Sequence, residues 1–392
     1  MVRDNGPKVI VVGAGIGGLT AAIALHKLGI EVEVYEQVPE LKAAGFGLSV
    51  AGNANTALHS VGLDLRLEER GQVVKSYQIR TSTGRLLRTL PYPEAMAGVP
   101  KASVLISRTD LQQAMLEHAR DIPIYIAAAA IGYQTDPDSG RVRVEFADGR
   151  VADGDAVIGA DGIHSQIRQQ LVGPGDEERY GGYISWLSIV PFEHSKFGTG
   201  SVTHYWAKGQ RFGLIDIGHG RAYWWATKEM PETDARKWQV DKDEIVRAYA
   251  DWPDEVRAAI EVTPEDAILG VPESDRAFLE RRGEGPVTLL GDAAHPMLAS
   301  LGQGAGMAIE DGVVLARNLA SAPEVWTGLR RYERERRDRT RTMLNTAHRV
   351  AGFEQGASTV RSIVRDTAIR VVPKGRLIRE LREALTFPGA TL

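Results

Sequence analysis

The chain has 392 residues, of which 42 are glycine and none is cysteine, and it carries 47 basic and 51 acidic side chains. The formal net charge of −4 argues against a surface covered generally by nucleic acid, and the lack of cysteine excludes disulfides, thiolate metal sites and cysteinyl cofactor links. No apolar run approaches the roughly 20 residues that span a bilayer, and the start does not resemble a signal peptide, so we expect a cytoplasmic protein with no transmembrane segment and no bound metal.

The first glycine cluster lies in a strand–loop–helix–strand unit. Residues Lys8–Val12 form a continuous apolar run typical of a strand buried on both faces, and glycines at 13–18 precede helical apolar spacing over Leu19–Leu28. Gly29 is placed to end that helix, and the alternating run Ile30–Glu36 predicts a second strand that ends in an acid. This order, within about 30 residues, is that of a dinucleotide-binding βαβ unit.

Each residue of this loop has a separate physical task in such a unit. Gly13 makes the tight turn, and Gly15 lets the backbone N–H groups at the helix start, including that of Ile16, approach a pyrophosphate. Gly18 lets the helix pack closely against the strand. Glu36 is placed to accept hydrogen bonds from ribose hydroxyls, and an acid at this position favours FAD or NAD over NADP.

Two further predicted strands each end at a turn that carries an aspartate. The run Val157–Ala160 leads into a turn at Asp161. The buried run Val287–Leu290 delivers Asp292 to the carboxyl end of the sheet, where ligands bind in open α/β folds. Glycines at 302–306 then begin another predicted helix, which places a second glycine-rich helix N-terminus near the same crevice.

In this order the motifs resemble those of group A flavoprotein monooxygenases, the aromatic-ring hydroxylases typified by p-hydroxybenzoate, salicylate, 6-hydroxynicotinate and urate hydroxylases. The resemblance is carried by GAGIGG at 13–18, ISRTDL at 106–111, GADGIHSQIR at 159–168 and GDAAHP…GQGAGMAIED at 291–311. It extends over roughly residues 7–345 and implies FAD, with NAD(P)H as a transient cosubstrate and O₂ as the oxidant. Because the chain has no cysteine, we expect the FAD to be bound noncovalently, with a histidyl link as the alternative.

The resemblance also implies cofactor contacts for residues beyond the first loop. These are Arg108 with the FAD pyrophosphate or ribityl region, Asp292 with a ribityl hydroxyl, and Gly302, Gln303 and Gly304 with the isoalloxazine. In the same way, Gly13, Gly15 and Gly18 are expected to hold the pyrophosphate and Glu36 the adenosine ribose. Asp161 is expected to serve the architecture of the FAD domain first and a nucleotide contact second.

Four residues are candidates for the substrate side of the site. Arg211 and Tyr223 match pocket-facing positions of urate-hydroxylase-like members and could orient a phenolate. His295 and Pro296 match a His-Pro pair beside the reactive edge of the flavin, and a packing role of His295 is preferred over a role as catalytic base. Ser49 stands where some relatives have a histidine, and this departure argues against a specific pyridine or salicylate assignment.

The fold class follows from these motifs and the aromatic-rich region between them. Two alternating runs, Arg211–Ile217 and Arg221–Thr227, flank a glycine turn and predict a β-hairpin. The resemblance implies an α/β fold with a Rossmann-type FAD-binding domain, an inserted and mostly antiparallel substrate sheet, and C-terminal helices. The expected division is 1–75, 100–178 and 275–345 for the FAD-binding domain, 76–99 and 179–274 for the substrate-binding sheet, and 346–392 for the C-terminal helical segment.

The last part of the chain is rich in arginine. In Tyr332–Thr342 acidic residues alternate with the arginines at helical spacings, which predicts a solvated helix and no nucleic-acid site. Residues 358–389 show apolar and basic periodicity. This pattern predicts an amphipathic helix that packs on the body or on the partner subunit of a homodimer, with a membrane surface as the alternative.

These observations predict an FAD-dependent monooxygenase that uses NAD(P)H and O₂ to hydroxylate an aromatic or heteroaromatic small molecule. As the resemblance implies, oxygen transfer would proceed through a flavin C4a-hydroperoxide. One alternative is a flavin-dependent epoxidase or oxygenase of an alkene, polyketide or terpenoid, and another is a non-catalytic FAD-fold protein that binds lipid or partner proteins. The shape of the pocket would distinguish the first alternative from an aromatic hydroxylase. The colour of the purified protein and substrate-stimulated oxidation of NAD(P)H would distinguish the second.

Overall fold

The structure is a computed structural model that describes residues 6–41, 46–356 and 358–390. In chain order its strands are β1 (Lys8–Val12), β2 (Glu31–Tyr35), β3 (Gly47–Val50), β4 (Gln72–Val73), β5 (Ser76–Thr81), β6 (Leu86–Thr89), β7 (Val104–Ser107), β8 (Ile124–Tyr125), β9 (Ala130–Thr135), β10 (Val142–Phe146), β11 (Val151–Gly154), β12 (Ala156–Gly159), β13 (Glu178–Pro191), β14 (Ser201–Trp206), β15 (Gln210–Asp216), β16 (Arg221–Glu229), β17 (Leu269–Arg276), β18 (Gly283–Glu284) and β19 (Val287–Leu289). Its α-helices are α1 (Ile16–Lys27), α2 (Gly52–Ser60), α3 (Leu67–Arg70), α4 (Tyr92–Met96), α5 (Arg108–His118), α6 (Gln166–Val172), α7 (Glu232–Ala235), α8 (Lys242–Ala248), α9 (Asp254–Glu261), α10 (Gly304–Ser321), α11 (Val325–Gln355), α12 (Thr359–Val371) and α13 (Lys374–Leu385). Short 3-10 helices lie at Glu265–Ala267, Gly291–Ala293 and Ala299–Leu301.

A mostly parallel sheet in the order β18-β19-β12-β1-β2-β8 forms the first layered unit. Strand β1 pairs in parallel with β2 and β12, and β12 pairs in parallel with β19. Successive side chains of a strand point to opposite faces, so Val9 and Val11 pack against α1 and α10 while Ile10 and Val12 pack against the small sheet β11-β10-β9. Burial on both faces explains the continuous apolar sequence of β1.

The two helices that begin at glycine clusters, α1 and α10, pack against each other. A Cβ on Gly312 of α10 would lie 2.8 Å from the backbone nitrogen of Ala21 in α1, so the helix backbones are in close approach. A Cβ on Gly17 would lie 2.6 Å from Leu290 Cδ2 and 3.1 Å from the Cβ of Ala308. Both helix starts therefore lie at the carboxyl edge of the parallel sheet.

A seven-stranded sheet in the order β17-β13-β16-β15-β14-β5-β6 forms the second unit. Strands β15 and β16 form the predicted hairpin, in register with Leu214 opposite Trp224. One face buries Trp186, Phe212 and Trp224 in a core that includes side chains of α8 and α9. The other face carries Tyr223 in a separate apolar cluster. The predicted fold class, an α/β protein with a parallel sheet and a mostly antiparallel sheet, is thereby confirmed.

The small sheet β3-β7-β4 connects the two units. Val104 and Ile106 of β7 belong to the core of the first unit, whereas Leu105 packs in the cluster that contains Ile215 and Tyr223 of the large sheet. Because side chains alternate along a strand, one short strand serves both cores. The face of the large sheet that carries Tyr223 is consequently turned toward the first unit.

The C-terminal segment forms two helices where the sequence predicted one. The break falls at Val372 and Pro373, because proline lacks the N–H of a helix interior and disfavours the helical conformation of the residue before it. Leu385 of α13 is buried in a cluster with Tyr92 of α4. Several apolar side chains of α12 are instead exposed. Among the described residues, no helix combines the length and the apolar character needed to cross a bilayer.

The arginine-rich helix differs from the solvated helix that the sequence predicted. Within α11, Arg336 is 2% exposed and donates to Glu310 at 2.5 Å and to Asp311 at 2.6 Å, and both acids belong to α10. Arg339 donates two further hydrogen bonds to Glu310. The prediction was wrong for this face because the counterions come from another helix, which the spacing of charges within α11 does not reveal.

Candidate active site

The first glycine loop is closed tightly on its strand side and open on the other. Gly13 has a φ of +107°, and its N–H donates to the Tyr35 carbonyl oxygen at 2.7 Å. A Cβ on Gly18 would lie 1.9 Å from the Gly13 carbonyl oxygen, whereas a Cβ on Gly15 would have no atom within 4 Å. Ile16 begins α1, so its N–H has no partner within the helix. The open side of this loop fits a pyrophosphate.

Three charged residues predicted to contact the cofactor lie around the same edge. Glu36 Oε2 accepts a hydrogen bond from the Ala14 N–H in the glycine loop at 2.7 Å. Arg108 begins α5, and its guanidinium lies 5.2 Å from the centroid of the Phe46 ring. Burial lowers the pKa of Arg108, and the carboxylates of Asp292 and Glu36 oppose that shift. The structure thus brings Glu36, Arg108 and Asp292, which are remote in sequence, close enough for the arginine to interact electrostatically with both acids.

The second glycine-rich helix start lies beside Asp292. This aspartate follows β19 and is exposed, and its Oδ1 is 3.9 Å from the position that a Cβ would take on Gly304, the first residue of α10. Gly302 has a φ of +60°, and Gln303 is buried with its Oε1 accepting from Asn53 Nδ2 at 3.2 Å. The exposed carboxylate of Asp292 can accept hydrogen bonds from flavin hydroxyls, and the glycine-rich backbone beside it leaves room for the edge of the flavin ring. The residues present therefore fit FAD.

Asp161 and Arg168 connect the middle motif to the loop after β19. Asp161 Oδ2 accepts from the Gln166 N–H at 2.8 Å, while its Oδ1 is buried without a hydrogen-bond partner in the described part of the chain. Arg168 is 1% exposed and donates to the carbonyl oxygens of Ala293 and Ala294 at 3.0 and 2.9 Å. The guanidinium therefore holds the loop that carries Asp292.

His295 is fully buried and lies within an ion-pair network. Its Nε2 is 2.5 Å from Oδ2 of Asp311, and the same oxygen accepts from the Gly291 N–H at 3.1 Å. Oδ1 of Asp311 accepts from Arg336 at 2.6 Å. Pro296 follows in the same loop and is also buried. These contacts anchor the loop after β19 to α10 and α11, and they direct the imidazole into the protein.

Arg211 and Tyr223 lie on the face of the large sheet that turns toward the first unit. The Arg211 guanidinium is 5.4 Å from the ring centroid of Tyr183 and 5.4 Å from that of Trp225. The ring of Tyr223 lies directly on β3, because a Cβ on Gly47 would be 2.4 Å from its Cγ. Burial raises the pKa of the Tyr223 hydroxyl. The structure therefore places both predicted substrate-side residues on one buried face.

The glycine cluster at 45–52 leads to a residue that the sequence reasoning missed. Gly45 lies outside the described residues, and Ser49 lies on β3 opposite β7. Asn53, in the first turn of α2, donates from Nδ2 to Glu310 Oε1 at 2.7 Å as well as to Gln303, and its Oδ1 is buried without a described partner. The position of Asn53 directly after a glycine cluster was the one feature of the sequence that could have marked it as a candidate site residue.

Two buried glutamates that interact with Arg211 were also missed. Glu354, near the end of α11, forms an ion pair with Arg211 although 143 residues separate them. Glu273 on β17 is 9% exposed, and its charge acts on both Arg211 and Tyr183. No local pattern singles out either glutamate, because each meets Arg211 only through the tertiary fold.

Comparisons with known proteins give the family. The family described as FAD binding domain matches residues 7–367. The aurachin C monooxygenase/isomerase of Stigmatella aurantiaca is 33% identical over 388 residues, which cover 98% of this chain and 99% of that protein. The FAD-dependent urate hydroxylase of Klebsiella pneumoniae subsp. pneumoniae is 30% identical over 350 residues, covering 89% and 91%. The 3-amino-4-hydroxybenzoate 2-monooxygenase PtmB3 of Streptomyces platensis is 34% identical over 348 residues, covering 87% and 86%.

The fold agrees with that of solved relatives. The crystal structure of Klebsiella pneumoniae HpxO complexed with FAD and uric acid has a TM-score of 0.89 to this chain at 27% identity, with 97% of this chain and 96% of that chain covered. The predicted family and cofactor are thus confirmed over nearly the whole length. The chain belongs to the FAD binding domain family and is an FAD-dependent monooxygenase of the group A aromatic hydroxylases, with NAD(P)H as its cosubstrate.

Proposed function

We propose that this monooxygenase oxygenates an aromatic or heteroaromatic ring held between the large sheet and the loop that leads into α10. The observation that carries the proposal is the buried face on which Arg211 lies 5.4 Å from each of two aromatic ring centroids. The same face contacts the loop, because a Cβ on Gly181 of β13 would be 2.9 Å from Leu298 Cδ2. Aromatic faces and a guanidinium both stack favourably on a planar ring.

The residues around the glycine loops would hold the cofactor. Bound FAD supplies the redox chemistry, accepting a hydride from NAD(P)H and activating O₂. The proposed contacts are Gly13, Gly15, Ile16 and Gly18 with the pyrophosphate, Glu36 with the adenosine ribose, Arg108 with the pyrophosphate or ribityl region, Asp292 with a ribityl hydroxyl, and Gly302, Gln303 and Gly304 with the ring. Asp161 would act through the architecture of its turn, in line with its hydrogen bond to the start of α6.

The chain's own residues would bind and orient the substrate and exclude water. Arg211 and Tyr223 are 3% and 8% exposed, so a ring beside them is largely shielded from solvent. His295 and Pro296 would fix the loop that covers the other side of the ring. In this arrangement the guanidinium and the phenol position the substrate, and the buried imidazole acts through the loop it anchors.

The named substrates of the relatives support a ring as the target. Urate and 3-amino-4-hydroxybenzoate are aromatic or heteroaromatic compounds with electron-donating substituents. This favours ring hydroxylation over epoxidation of an isolated alkene. A non-catalytic FAD-fold role has no counterpart among these relatives, each of which is named as a hydroxylase or monooxygenase.

The test is oxidation of NAD(P)H by the purified, FAD-loaded protein in the presence of a panel of phenols, aromatic acids, pyridines and fused heterocycles. We expect a yellow protein and at least one ring that accelerates NAD(P)H oxidation by roughly 10-fold or more. The product formed under ¹⁸O₂ should carry one labelled oxygen atom. A colourless protein that does not take up added FAD, or acceleration by alkenes alone, would contradict the proposal.

We also propose the expected division into an FAD-binding domain (1–75, 100–178 and 275–345), a substrate sheet (76–99 and 179–274) and a C-terminal segment (346–392). The pairing of β5 with β14, and of β6 with β5, in the large sheet supports it. A homodimer and a cytoplasmic location are further proposals, the first supported by the exposed Val360, Ile363, Val364 and Val371 of α12. Light scattering at several protein concentrations tests the dimer, with Ile363→Glu expected to give monomers.

A further inference from the structure

The guanidinium of Arg211 already has protein partners on the substrate side of the fold. Its Nη1 donates to Glu354 in an ion pair, and its Nε donates to Gln355 Oε1 at 2.9 Å. The backbone of this helix end is held in turn, because Arg365 of α12 donates to the Glu354 carbonyl oxygen at 2.7 Å. Thr227 on β16 donates to Gln355 at 3.1 Å. The end of α11 is therefore fixed over the arginine.

A second buried carboxyl group interacts electrostatically with the same arginine. Glu273 of β17 is buried near the Ser185 hydroxyl and the Ala299 amide. Burial raises the pKa of Glu273, and those two hydrogen-bonding groups together with Arg211 oppose the rise. Burial also raises the pKa of Glu354, again opposed by Arg211. Two carboxyl groups thus compete for one positive charge.

The charge of this cluster follows from electrostatics. Arginine does not lose its proton in proteins, and a cation that is 3% exposed requires a counterion. At least one of the two glutamates is therefore ionised beside Arg211. The net charge of the three groups is zero when one glutamate is protonated and −1 when neither is. In both cases the cluster has no net positive charge to offer an anion.

The other basic groups around the cluster do not change this balance. Burial lowers the pKa of His204 to about 3, so that imidazole is neutral at pH 7. Arg365 pairs with Asp366 at 2.8 Å. The Tyr183 hydroxyl, beside Arg211, is a neutral group that is buried without a hydrogen-bond partner among the described residues. It suits a carbonyl or hydroxyl group on a ring.

We propose that Glu354 and Glu273 make the substrate site selective for uncharged aromatic or heteroaromatic rings and selective against aromatic carboxylates and other anions. This inference rests on the proposed function and names the charge class of its substrate. It distinguishes the chain from the relative named for 3-amino-4-hydroxybenzoate, whose substrate is a carboxylate. Glu354 and Glu273 are then specificity-determining residues that act by neutralising Arg211.

The test uses two ligands of the same size and shape, 4-hydroxybenzamide and 4-hydroxybenzoate, which differ by one charge. Each is titrated into the FAD-loaded enzyme, and binding is followed through the change in flavin absorbance. In the wild type we expect 4-hydroxybenzamide to bind at least about 10-fold more tightly than 4-hydroxybenzoate, since 10-fold corresponds to about 1.4 kcal/mol and the site lacks a free positive charge. Equal affinities, or tighter binding of the carboxylate, would overturn the proposal.

Substitution then reverses the preference. Glu354→Gln keeps the size and hydrogen-bonding capacity of the side chain and removes its charge, so the affinity for 4-hydroxybenzoate should rise about 10-fold while that for 4-hydroxybenzamide stays within about threefold. Glu273→Gln should shift the ratio in the same direction. If Glu354→Gln does not fold, Glu273→Gln carries the same readout. In the combined variant Arg211 has no counterion except the ligand, so the gain should be largest.

The matched control is Glu333→Gln, the same change at a partly buried glutamate of the same helix, where the carboxylate binds Arg330 and Thr288 instead. It should leave the ratio of the two affinities unchanged. An equal gain in this control, or no gain in either site variant, would overturn the proposal, as would failure of both ligands to bind in every protein. Because binding is measured without turnover, this result is independent of whether any ring accelerates NAD(P)H oxidation.

Discussion

At the scale of single residues, two glycines of one loop have opposite requirements. Gly18 has no space for a side chain, because a Cβ there would lie 1.9 Å from the Gly13 carbonyl oxygen. Gly15 has open space in the protein alone, with no atom within 4 Å of a Cβ. The first glycine therefore serves the packing of α1 on β1. The second leaves open space beside the loop, which we propose is occupied by FAD.

This difference predicts separate outcomes for two alanine substitutions. Gly15→Ala should leave the melting temperature of the apoprotein within a few degrees of wild type but weaken FAD binding by about 10-fold or more, because its methyl group enters the pyrophosphate space. Gly18→Ala should lower the stability of the apoprotein itself. The measurements are thermal unfolding with and without FAD, and FAD titration.

Gly375→Ala is the matched control for these substitutions, since a Cβ there also has no atom within 4 Å and the residue lies in α13, far along the chain from the loop. It should change neither quantity. Unchanged FAD affinity in Gly15→Ala would contradict the assignment of this loop to the pyrophosphate.

At the scale of elements, buried charges join α10 and α11. Glu310 and Asp311 of α10 are 0% exposed, and Arg336 of α11 donates to both. The same two acids contact the active-site loops, since Asp311 holds His295 and Glu310 holds Asn53. The helix pair therefore positions the loop after β19 and the start of α2 at the same time.

We expect Arg336→Met to destabilise the protein by about 3–5 kcal/mol, because it leaves two buried carboxylates without a shared counterion. Arg337→Met, one residue along the same helix, removes a half-exposed pair with Glu280 at 3.0 Å and should cost at most about 1 kcal/mol. Urea unfolding of the apoproteins measures both values. Equal losses in the two variants would show that the buried network does not contribute specially.

The same network predicts a dependence of stability on pH. Burial by itself raises the pKa of Asp311, but the neighbouring His295 and Arg336 outweigh it and hold the pKa well below its usual value. Because the folded pKa lies below the unfolded value of about 3.9, the Asp311 carboxylate stabilises the fold above roughly pH 4. That contribution is lost as the pH falls from there toward the folded pKa.

Asp311→Asn should therefore be less stable than the wild type at pH 7, and its stability should fall less steeply between pH 5 and pH 3. Urea unfolding at a series of pH values gives both quantities. Asp338→Asn, on α11, is the control that should keep the wild-type slope. A variant at position 311 with the wild-type slope would show that other carboxylates dominate the acid unfolding.

At the scale of the whole molecule, the two sheets meet where Tyr223 lies on Gly47. The glycine loops that fit FAD belong to one sheet and the aromatic face belongs to the other, so cofactor binding and substrate positioning should respond to different substitutions. Tyr223 lies at this contact, on the face of the large sheet that we propose binds the substrate. Burial raises the pKa of its hydroxyl, which is therefore protonated.

Tyr223→Phe should accordingly keep its FAD content and melting temperature close to wild type while ring-stimulated turnover falls about 10-fold, the effect of one lost hydrogen bond of roughly 1.5 kcal/mol. Steady-state NAD(P)H oxidation and peroxide release measure turnover and its coupling to oxygenation. Tyr133→Phe, on β9 at the far side of the parallel sheet, is the matched control. Loss of FAD in Tyr223→Phe alone would contradict this division of roles.

Much of the cofactor side could be predicted because its features are close together in the sequence. The turn at Gly13, the helix start at Ile16 and the acid at Glu36 lie within one βαβ unit, whose geometry follows from strand and helix periods. The hairpin of β15 and β16 was predictable for the same reason. The break at Pro373 was also visible in the sequence, although the prediction of one continuous helix passed over it.

The sequence by itself therefore determined the family, the cofactor and the local shape of each glycine loop, since these depend on residues a few positions apart. Only the tertiary structure decided the charge around Arg211, in the proposed substrate site. The spacing of nearby residues does not reveal the counterions of Arg211. In the structure, Glu354, 143 residues later, forms an ion pair with it, and Glu273 on another strand interacts with its charge. Burial is the physical reason: it makes a distant counterion necessary, and neither burial nor its partner is encoded in local spacing.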